Sequence, residues 1–352
     1  MSLKFKINVK IQKTAKFMEV CGTHTFAISK FGLKNFYAGK IDFLSGPGCP
    51  VCVTDGEDID YIAGLAKNED NIIVSFGDML RVPSGDENVS LEKLKKNNVK
   101  TVYSAVDVLN IAEKNPEKNV IFLAAGFETT APLAAGIIID AYKRKIKNFY
   151  VFSGLKKKIP ALNSLLKQKK INADGFILPG HVCTVTGYKS FEFISENCKI
   201  PCVVAGFEFA GLKNAVDILY GLYREKKTKL VNYYAAVTAE GNVKALKTIS
   251  EVFEEEDVKW RGLGNISKSG FKIKKKYEKF DVLHKFVRKS QLNPSRKGAK
   301  CICGKLFTGR YKPVDCPSFA KECTPLTPVG PCMVSGEGVC ASYYKYGDRN
   351  EK

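Results

Sequence analysis

The chain has 352 residues, enough for two or three domains, and its 45% hydrophobic and 26% charged residues are typical of folded globular proteins. This composition excludes a chain that is disordered throughout. The formal net charge of +20 comes from 56 basic residues, which are spread along the chain in runs such as 156–158 and 274–276. Because these runs are not interleaved with aromatic residues, we interpret them as solvated surface that favours acidic protein partners, and we expect no nucleic-acid binding.

The most apolar segment, 120–139, does not have the composition of a membrane-spanning helix, because it contains Glu128 and Pro132. A carboxylate near the centre of a bilayer costs about 3 kcal/mol. A buried strand, a tight turn and a buried helix explain the same residues without that cost. The N-terminal segment, with its lysines and no apolar stretch, does not resemble a signal peptide. We therefore expect a cytoplasmic protein without a membrane contact.

Short apolar segments that end in glycine or a Gly-Pro turn alternate with helix-compatible segments between about residues 40 and 240. This alternation is typical of parallel sheets with both faces covered. The predicted strands are 41–46, 71–77, 101–106, 120–126, 148–154, 175–180 and 201–206.

Two similar motifs suggest a repeated unit. GFETTAP (126–132) and GFEFAG (206–211) each follow a predicted strand and open a predicted helix. We therefore predict two similar parallel-sheet α/β domains, 20–125 and 126–240, around a central cleft. A third domain, 1–19 plus 241–352, combines helices with a cysteine-rich segment. Ligands of open α/β sheets bind at the carboxyl ends of the strands, where the motifs lie.

The twelve cysteines indicate metal or redox chemistry, because disulfide frameworks are rare in reducing compartments. Four of the last six are separated by fourteen, six and sixteen residues, and two lie outside this series. No paired C-x-x-C of the kind found in zinc sites occurs among them, whereas a four-iron cluster needs only four thiolates from a wrapping loop. The spacing favours an iron–sulfur cluster and leaves a zinc site or a structural thiol cluster open. The series is Cys301, Cys316, Cys323 and Cys340, with Cys303 and Cys332 outside it.

Cysteines and histidines also occur in glycine-bearing turns after predicted strands. GPGCPVC places Cys49 and Cys52 in a C-x-x-C, a spacing suited to a disulfide, a metal or thiol exchange, and we predict a helix just after Cys52. CGTHT contains Cys21 and His24, and PGHVC contains His181 beside a further cysteine.

Other polar residues in these turns allow two interpretations. Glu128 and Glu208 are either carboxylates of a first helical turn or proton acceptors in the cleft. His284, in a predicted helix, is interpreted as structural. The roles of Cys183 in PGHVC and of Cys198 and Cys202 stay open.

Together these motifs resemble the HypD family of hydrogenase maturation proteins. CGTHT (21–25), GPGCPVC (46–52), GFETTAP (126–132), PGHV (179–182) and the C-terminal cysteine series occur in the family's order, from about residue 17 to 345. The resemblance implies a scaffold for assembly of the Fe(CN)2CO group of [NiFe]-hydrogenase rather than a metabolic enzyme. It also implies a small HypC-like partner, a HypE-like cyanide donor, and a chain that is monomeric on its own.

The resemblance assigns a role to each candidate residue. Cys21 would bind the transient iron jointly with HypC, Cys49 and Cys52 would form a thiol–disulfide couple, and His24, Glu128 and His181 would line the cleft. Cys303 and Cys332 would form a redox disulfide beside the cluster. The [4Fe–4S] cluster would be held by Cys301, Cys316, Cys323 and Cys340. Two other interpretations are a cluster-fed thiol–disulfide reductase and a zinc-stapled binding protein.

Overall fold

The computed structural model describes residues 13–83, 90–94, 97–286 and 301–347. Within these residues the strands are β1 Ala15–Glu19, β2 Ile41–Ser45, β3 Asn71–Ser75, β4 Val99–Thr101, β5 Asn119–Gly126, β6 Phe149–Leu155, β7 Gly175–Pro179, β8 Cys202–Ala205, β9 Leu230–Tyr233, β10 Phe253–Trp260 and β11 Gly264–Ile273.

The helices of the described residues follow most of these strands. They are α1 Gly22–Lys30, α2 Leu33–Phe36, α3 Pro50–Val53, α4 Gly56–Ala66, α5 Gly77–Leu80, α6 Val106–Lys114, α7 Ala131–Lys143, α8 Lys158–Lys167, α9 Gly180–Thr186, α10 Glu192–Glu196, α11 Phe209–Arg224, α12 Val243–Val252, α13 Val282–Lys285, α14 Cys303–Leu306, α15 Pro331–Val334 and α16 Val339–Tyr346. Three 3-10 turns lie at Lys189–Phe191, Lys275–Phe280 and Pro313–Asp315.

Two parallel sheets form the frame of the molecule. Sheet A has the strand order β2-β1-β7-β8-β9, and sheet B has the order β4-β3-β5-β6. The chain therefore begins in sheet A, builds all of sheet B, and returns to complete sheet A. Strands β10 and β11 form an antiparallel hairpin with a register shift between Glu256 and Val258.

The central strands are buried on both faces, as their continuous apolar sequences require. Strand β5 lies between β3 and β6, and every one of its residues after Asn119 is buried. Helices cover the outer faces: α6 and α7 pack on sheet B, and α1, α2 and α11 pack on sheet A. Side chains at helix starts satisfy free backbone N–H groups, as where Asp55 accepts from Glu57 N at 3.0 Å at the start of α4.

The largest apolar cluster joins the two sheets to the C-terminal segment 301–347. It includes Met18 and Leu44 of sheet A and Ile121 and Leu123 of sheet B. The same cluster contains the thiols Cys49, Cys52, Cys183, Cys202, Cys303, Cys316, Cys323, Cys332 and Cys340. The C-terminal segment contains four short helices or turns and no strand among its described residues, and five of its cysteines are buried together with apolar side chains such as Leu306 and Phe319.

The predicted α/β class with parallel sheets is confirmed, but several details differ. Strand β4 is Val99–Thr101, and the segment predicted as a strand at 101–106 runs into α6, which begins at Val106. Strands β1 and β9 were not predicted. Sheet membership also does not follow the expected division at residue 125, because β5 and β6 pair with each other in sheet B and β1 pairs with β7 in sheet A.

Among the described residues, no helix combines the length and the apolar character that crossing a bilayer requires.

Candidate functional site: a thiol cleft joined to a cysteine-rich segment

The candidate residues follow the carboxyl ends of strands from both sheets. In sheet A, Cys21 follows β1, Cys49 follows β2, and His181 follows β7. In sheet B, Glu128 follows β5 and Lys158 follows β6. Hydrogen bonds between these loops, described below, show that the strand ends of the two sheets meet at one cleft, which is the expected place for a ligand in α/β folds.

Cys21 is the N-cap of α1 and is buried. Its backbone N–H donates to Glu19 Oε2 at 3.0 Å, and its backbone closely approaches the GPGCPVC loop. A Cβ atom at Gly48 would lie 2.6 Å from Cys21 N, so only glycine fits there. Gly22 N also donates to Gly48 O at 3.1 Å. The first two cysteine motifs of the sequence are therefore in direct contact.

The C-x-x-C loop forms the short helix α3. Cys49 is its N-cap, and its Sγ accepts from Cys52 N at 3.3 Å. The prediction of a helix that begins after Cys52 is wrong in position, because α3 begins at Pro50 and already includes Cys52. Proline at this first position has the backbone angle that a helix start needs.

A buried lysine joins the loops of the cleft. Lys158 is 2% exposed, and its Nζ donates to Val20 O at 2.6 Å and to Gly48 O at 3.3 Å. The ammonium also lies 3.8 Å from the centre of the Phe127 ring. Burial lowers the pKa of Lys158, and the nearby Cys21 and Glu128 oppose that shift. Burial raises the pKa of Cys21, and the positive charge of Lys158 opposes that shift.

Glu128 lies beside this lysine, and one of its two carboxylate oxygens has no hydrogen-bond partner among the described residues. Its Oε1 accepts from the backbone N–H of Lys158 at 2.7 Å, while Oε2 is buried without a hydrogen-bond partner among the described residues. Burial raises the pKa of Glu128. Helix α7 begins only at Ala131, so Glu128 is not a carboxylate of a first helical turn. Its free oxygen can accept a proton or a ligand hydrogen bond.

The pKa values of two further buried groups in the cleft are shifted. Burial raises the pKa of Glu19 to about 7, although Thr25 and the backbone N–H of Cys21 donate to its carboxylate. Burial lowers the pKa of His24 to about 4, so its imidazole is neutral at pH 7. His24 Nε2 donates to Gly206 O at 3.0 Å, and its Nδ1 is buried without a described partner. That nitrogen is therefore an unprotonated acceptor.

The two histidines of the motifs share one aromatic neighbour. Phe207 stacks on His24 with ring centres 4.6 Å apart and on His181 with ring centres 3.9 Å apart. His181 is exposed, whereas His24 is fully buried. His181 thus lies at the solvent side of the cleft. Burial lowers its pKa, and Glu337 opposes this shift.

The C-terminal segment reaches the Cys21 loop through Glu337. Its Oε1 accepts from Thr23 Oγ1 at 2.7 Å, and a Cβ atom at Gly22 would lie 2.7 Å from Glu337 Cβ. The negative charge of Glu337 raises the pKa of Cys21. Glu337 belongs to the loop between α15 and α16, so the cysteine-rich segment forms part of the cleft wall.

Five thiols form a continuous series from the cleft into the C-terminal segment. Cys52 contacts Cys49 on one side and Cys332 on the other. Cys332 in turn neighbours Cys303, and Cys303 neighbours Cys301, closely enough for each thiol to act on the pKa of the next. Cys52 Sγ also lies 3.9 Å from Pro331 O. We call these residues, Cys49, Cys52, Cys332, Cys303 and Cys301, the thiol series. Burial is the main cause that raises the pKa of Cys52.

One small cavity is lined by all six C-terminal cysteines. Apolar side chains complete its wall, and Gly330 leaves room for sulfur, since a Cβ atom there would lie 2.5 Å from Cys301 Sγ. Val329 N donates to Cys323 Sγ at 3.4 Å, a bond that favours thiolate. Sulfur donors in an apolar pocket with a backbone N–H fit the chemistry of an iron–sulfur cluster. The apolar residues are Leu306, Phe319 and Met333.

Other candidate residues lie at varying distances from this site. Cys183 is buried, and Glu128 and Cys21 act on its pKa, so it belongs to the cleft. Cys198 and Cys202 neighbour each other at the start of β8 instead. Glu208 is the exposed N-cap of α11 and makes no side-chain capping bond.

The sequence did not single out Lys158, Glu19 or Glu337. The run 156–158 was interpreted as solvated surface, and this is wrong for Lys156 and Lys158, which are buried because backbone carbonyls accept from both ammonium groups. Glu19 could have been noticed as the carboxylate just before CGTHT. Glu337 lies in a loop whose partner is more than 300 residues away in sequence, and no local signal marks it.

The fold and the site define an α/β protein in which a series of thiols connects a cysteine-rich segment to a ligand cleft. The model of the HypD family, described as "Hydrogenase formation hypA family", matches residues 2–347. The chain belongs to the HypD family, as its five motifs predicted.

Curated relatives agree with this assignment over almost the whole chain. Hydrogenase maturation factor HypD2 of Bradyrhizobium diazoefficiens is 40% identical over 348 residues, which cover 96% of this chain and 90% of the relative. Hydrogenase maturation factor HypD of Escherichia coli is 39% identical over 337 residues, which cover 95% and 90%. A function in hydrogenase maturation is thereby supported.

Proposed function

We propose that the protein is a scaffold and redox protein on which the Fe(CN)2CO group of [NiFe]-hydrogenase is assembled. Cys21 binds the iron cargo together with a thiolate of a small HypC-like partner, and a HypE-like donor delivers cyanide. The observation that carries this proposal is the joining of two sites: the thiol series ends at Cys49, whose loop is in contact with Cys21.

The cleft around Cys21 suits an electron-rich iron complex. Soft thiolate favours such iron over hard cations. Lys158 supplies a buried positive charge beside Cys21 and Glu128, which offsets the negative charge of thiolate and cyanide ligands. The free atoms Glu128 Oε2 and His24 Nδ1 provide two buried acceptors for protons released during ligand transfer. We call Cys21, Lys158, Glu128, Glu19 and His24 the Cys21 site.

The thiol series suits electron delivery. When cyanide arrives bonded to a carrier sulfur, its release breaks the S–C bond and consumes two electrons and one proton, leaving a carrier thiol. Oxidation of the Cys49 and Cys52 thiols to a disulfide supplies two electrons and two protons, so one proton remains for an acceptor in the cleft. Exchange with the thiols of Cys332 and Cys303 would restore the dithiol, since Cys332 is the neighbour of Cys52.

The residues that would hold the resident [4Fe–4S] cluster are Cys301, Cys316, Cys323 and Cys340, which line one cavity. When bound, the cluster would supply single electrons to the thiol series. Among the described residues no three His, Cys, Asp or Glu side chains are grouped closely enough to hold one metal ion.

Infrared spectroscopy of the complex with a HypC-like partner tests the scaffold directly. The wild-type complex, purified without oxygen, should show cyanide and CO stretching bands. Cys21→Ala should lose these bands and keep the visible absorption of the cluster. Cys198→Ala, a substitution away from the cleft, is the matched control and should keep both signals.

Two outcomes would contradict the proposal. Bands of full intensity in Cys21→Ala would exclude Cys21 as the iron ligand. A wild-type complex without cyanide bands, but with rapid dithiol turnover that Cys21→Ala leaves unchanged, would favour the cluster-fed reductase instead.

A further inference from the structure

Arg261 connects the tip of the β10–β11 hairpin to the C-x-x-C helix. Its backbone N–H donates to Val53 O at 2.9 Å, and its Nε donates to Thr54 O at 2.7 Å. Val53 is the last residue of α3, and Thr54 is its C-cap. The guanidinium is therefore held at the carbonyl group of Thr54, which follows Cys52 by two residues in the sequence.

The same hairpin tip is in backbone contact with the cysteine-rich segment. A Cβ atom at Gly262 would lie 2.3 Å from Gly304 Cα, and one at Gly304 would lie 2.4 Å from Gly262 Cα. Gly262 also has a φ of +72°, which favours glycine. Gly304 directly follows Cys303. The contact between the two glycines therefore brings Arg261 near Cys303, in the part of the thiol series that lies within the C-terminal segment.

One donor of this guanidinium has no partner. Nη2 of Arg261 is buried and makes no hydrogen bond within the described residues. An unsatisfied buried donor costs about 1–3 kcal/mol, and more when the group is charged. The turn that carries Cys301 and Cys303 adjoins the hairpin tip through the contact of Gly262 with Gly304. The two bonds from N and Nε already anchor the hairpin, so anchoring alone does not account for Nη2.

We propose that Arg261 is a positioning and charge-stabilising residue of the redox path, with Nη2 as donor to anionic sulfur at Cys301 or Cys303. This inference rests on the proposed function. Reduction places additional negative charge on sulfur and iron at this point of the path. A fixed positive donor stabilises the reduced form and so raises the midpoint potential. Arginine serves both tasks, because its planar fork holds Thr54 O while another N–H is directed elsewhere.

The test measures two potentials in the anaerobic full-length protein. The cluster is titrated with redox dyes and followed by the electron paramagnetic resonance of its reduced form. The Cys303–Cys332 couple is equilibrated with reduced and oxidised glutathione, trapped by alkylation and measured by mass spectrometry. In that equilibrium the two protein thiols lose two electrons and two protons, and glutathione disulfide becomes two thiols. Arg261→Gln should lower the equilibrium constant for cluster reduction about tenfold, a shift of about 59 mV to more negative potential.

Two variants keep the result interpretable. Arg310→Gln removes an exposed arginine of the C-terminal segment, one that donates to Lys169 O, and should leave both potentials unchanged. Arg261→Lys keeps the charge but loses the fork, so its shift should have the same sign and a smaller size. Fluorescence of Trp260, the single tryptophan of the chain and the neighbour of Arg261, reports whether the hairpin remains folded.

The outcomes separate the inference from the function on which it rests. A wild-type protein with neither a reducible cluster nor a reversible dithiol would overturn the proposed function itself. A wild-type protein with both, together with unchanged potentials in Arg261→Gln, would overturn only the role of Arg261. If Arg261→Gln does not fold, an unchanged cluster potential in Arg261→Lys overturns the role, and a negative shift supports it.

Discussion

The Cys21 site and the thiol series both contain cysteine, but the groups that surround the thiol differ between them. Around Cys21 the neighbours are ionisable, and the buried Lys158 interacts electrostatically with Cys21, Glu128 and Glu19. In the thiol series the neighbours of each sulfur are mostly other sulfurs, from Cys49 to Cys301. Charged surroundings suit the binding of an anionic metal complex, whereas adjacent thiols suit exchange of electron pairs. Under the proposed function, this difference separates cargo binding from electron supply within 352 residues.

The largest expected effect comes from removing a cluster ligand. Cys316→Ser should abolish the visible absorption and iron content of the C-terminal segment and make residues 301–347 sensitive to protease. This follows from the proposed cluster, because a segment with no strand among its described residues would gain much of its folding free energy from bound metal. Cys202→Ser, a buried cysteine outside the segment, is the control. Full iron content in Cys316→Ser would remove Cys316 from the ligand set.

Removing the cation of the Cys21 site should be the next largest effect. Lys158→Met leaves the carbonyl group of Val20 without its ammonium donor, removes one of two donors to Gly48 O, and leaves Glu128 without a nearby cation. A buried acceptor that loses its donor costs about 1 to 3 kcal/mol of unfolding free energy, and more where a charged group also loses its counter-charge. Lys157→Met, the adjacent residue, whose ammonium pairs with Glu255 at the surface, should cost much less. Equal urea midpoints for the two variants would contradict a special role for Lys158.

Titration of His24 should make stability depend on pH in one direction. Its pKa is about 4 in the folded protein and about 6.5 when unfolded, so the unfolded chain binds more protons between these values. Its contribution is therefore present above pH 6.5 and is lost as the pH falls towards 4, by about 3 kcal/mol in total. Ring-carbon NMR of the three histidines measures the pKa directly. A value of His24 near 6.5 would show that its ring is solvated.

The smallest effect is expected for the contact between the two regions. Glu337→Gln keeps an acceptor for Thr23 Oγ1 but removes a negative charge that raises the pKa of Cys21. Alkylation of Cys21 in iron-free protein should therefore become faster at neutral pH, because more of the thiol is ionised. Glu322→Gln, an exposed carboxylate of the same segment, should leave the rate unchanged. A slower rate in Glu337→Gln would contradict this electrostatic coupling.

The parts of the fold that the sequence predicted are those with continuous local patterns. Strands β5, β6 and β7 are apolar runs with glycine or proline near their ends, so their burial is evident from composition. Strand β1, AKFME, escaped prediction because Lys16 and Glu19 interrupt its apolar residues. Its interior position in sheet A, between β2 and β7, depends on pairing with β7, more than 150 residues later.

The site was predictable where its residues share a motif, and hidden where only packing brings them together. Cysteine is a rare residue type, so its positions and spacing are evident in the sequence. The six C-terminal cysteines indeed line one cavity. Lysines are abundant in this chain, so nothing local distinguishes Lys158 from Lys157. The burial of Lys158 follows from carbonyl acceptors at Val20 and Gly48, which lie more than 100 residues away. Arg261 was hidden for the same reason.

The order of strands in the two sheets has a consequence for synthesis on the ribosome. Sheet B is formed by residues 71–155 alone, so it can fold while the rest of the chain is still being made. Sheet A needs β7, β8 and β9, and the wall of the Cys21 cleft needs Glu337, near the C-terminus. The first cysteine motif to be translated is thus among the last to reach its native surroundings. Under the proposed function, an unfinished chain could not enclose the iron, and loading would have to wait for the finished protein.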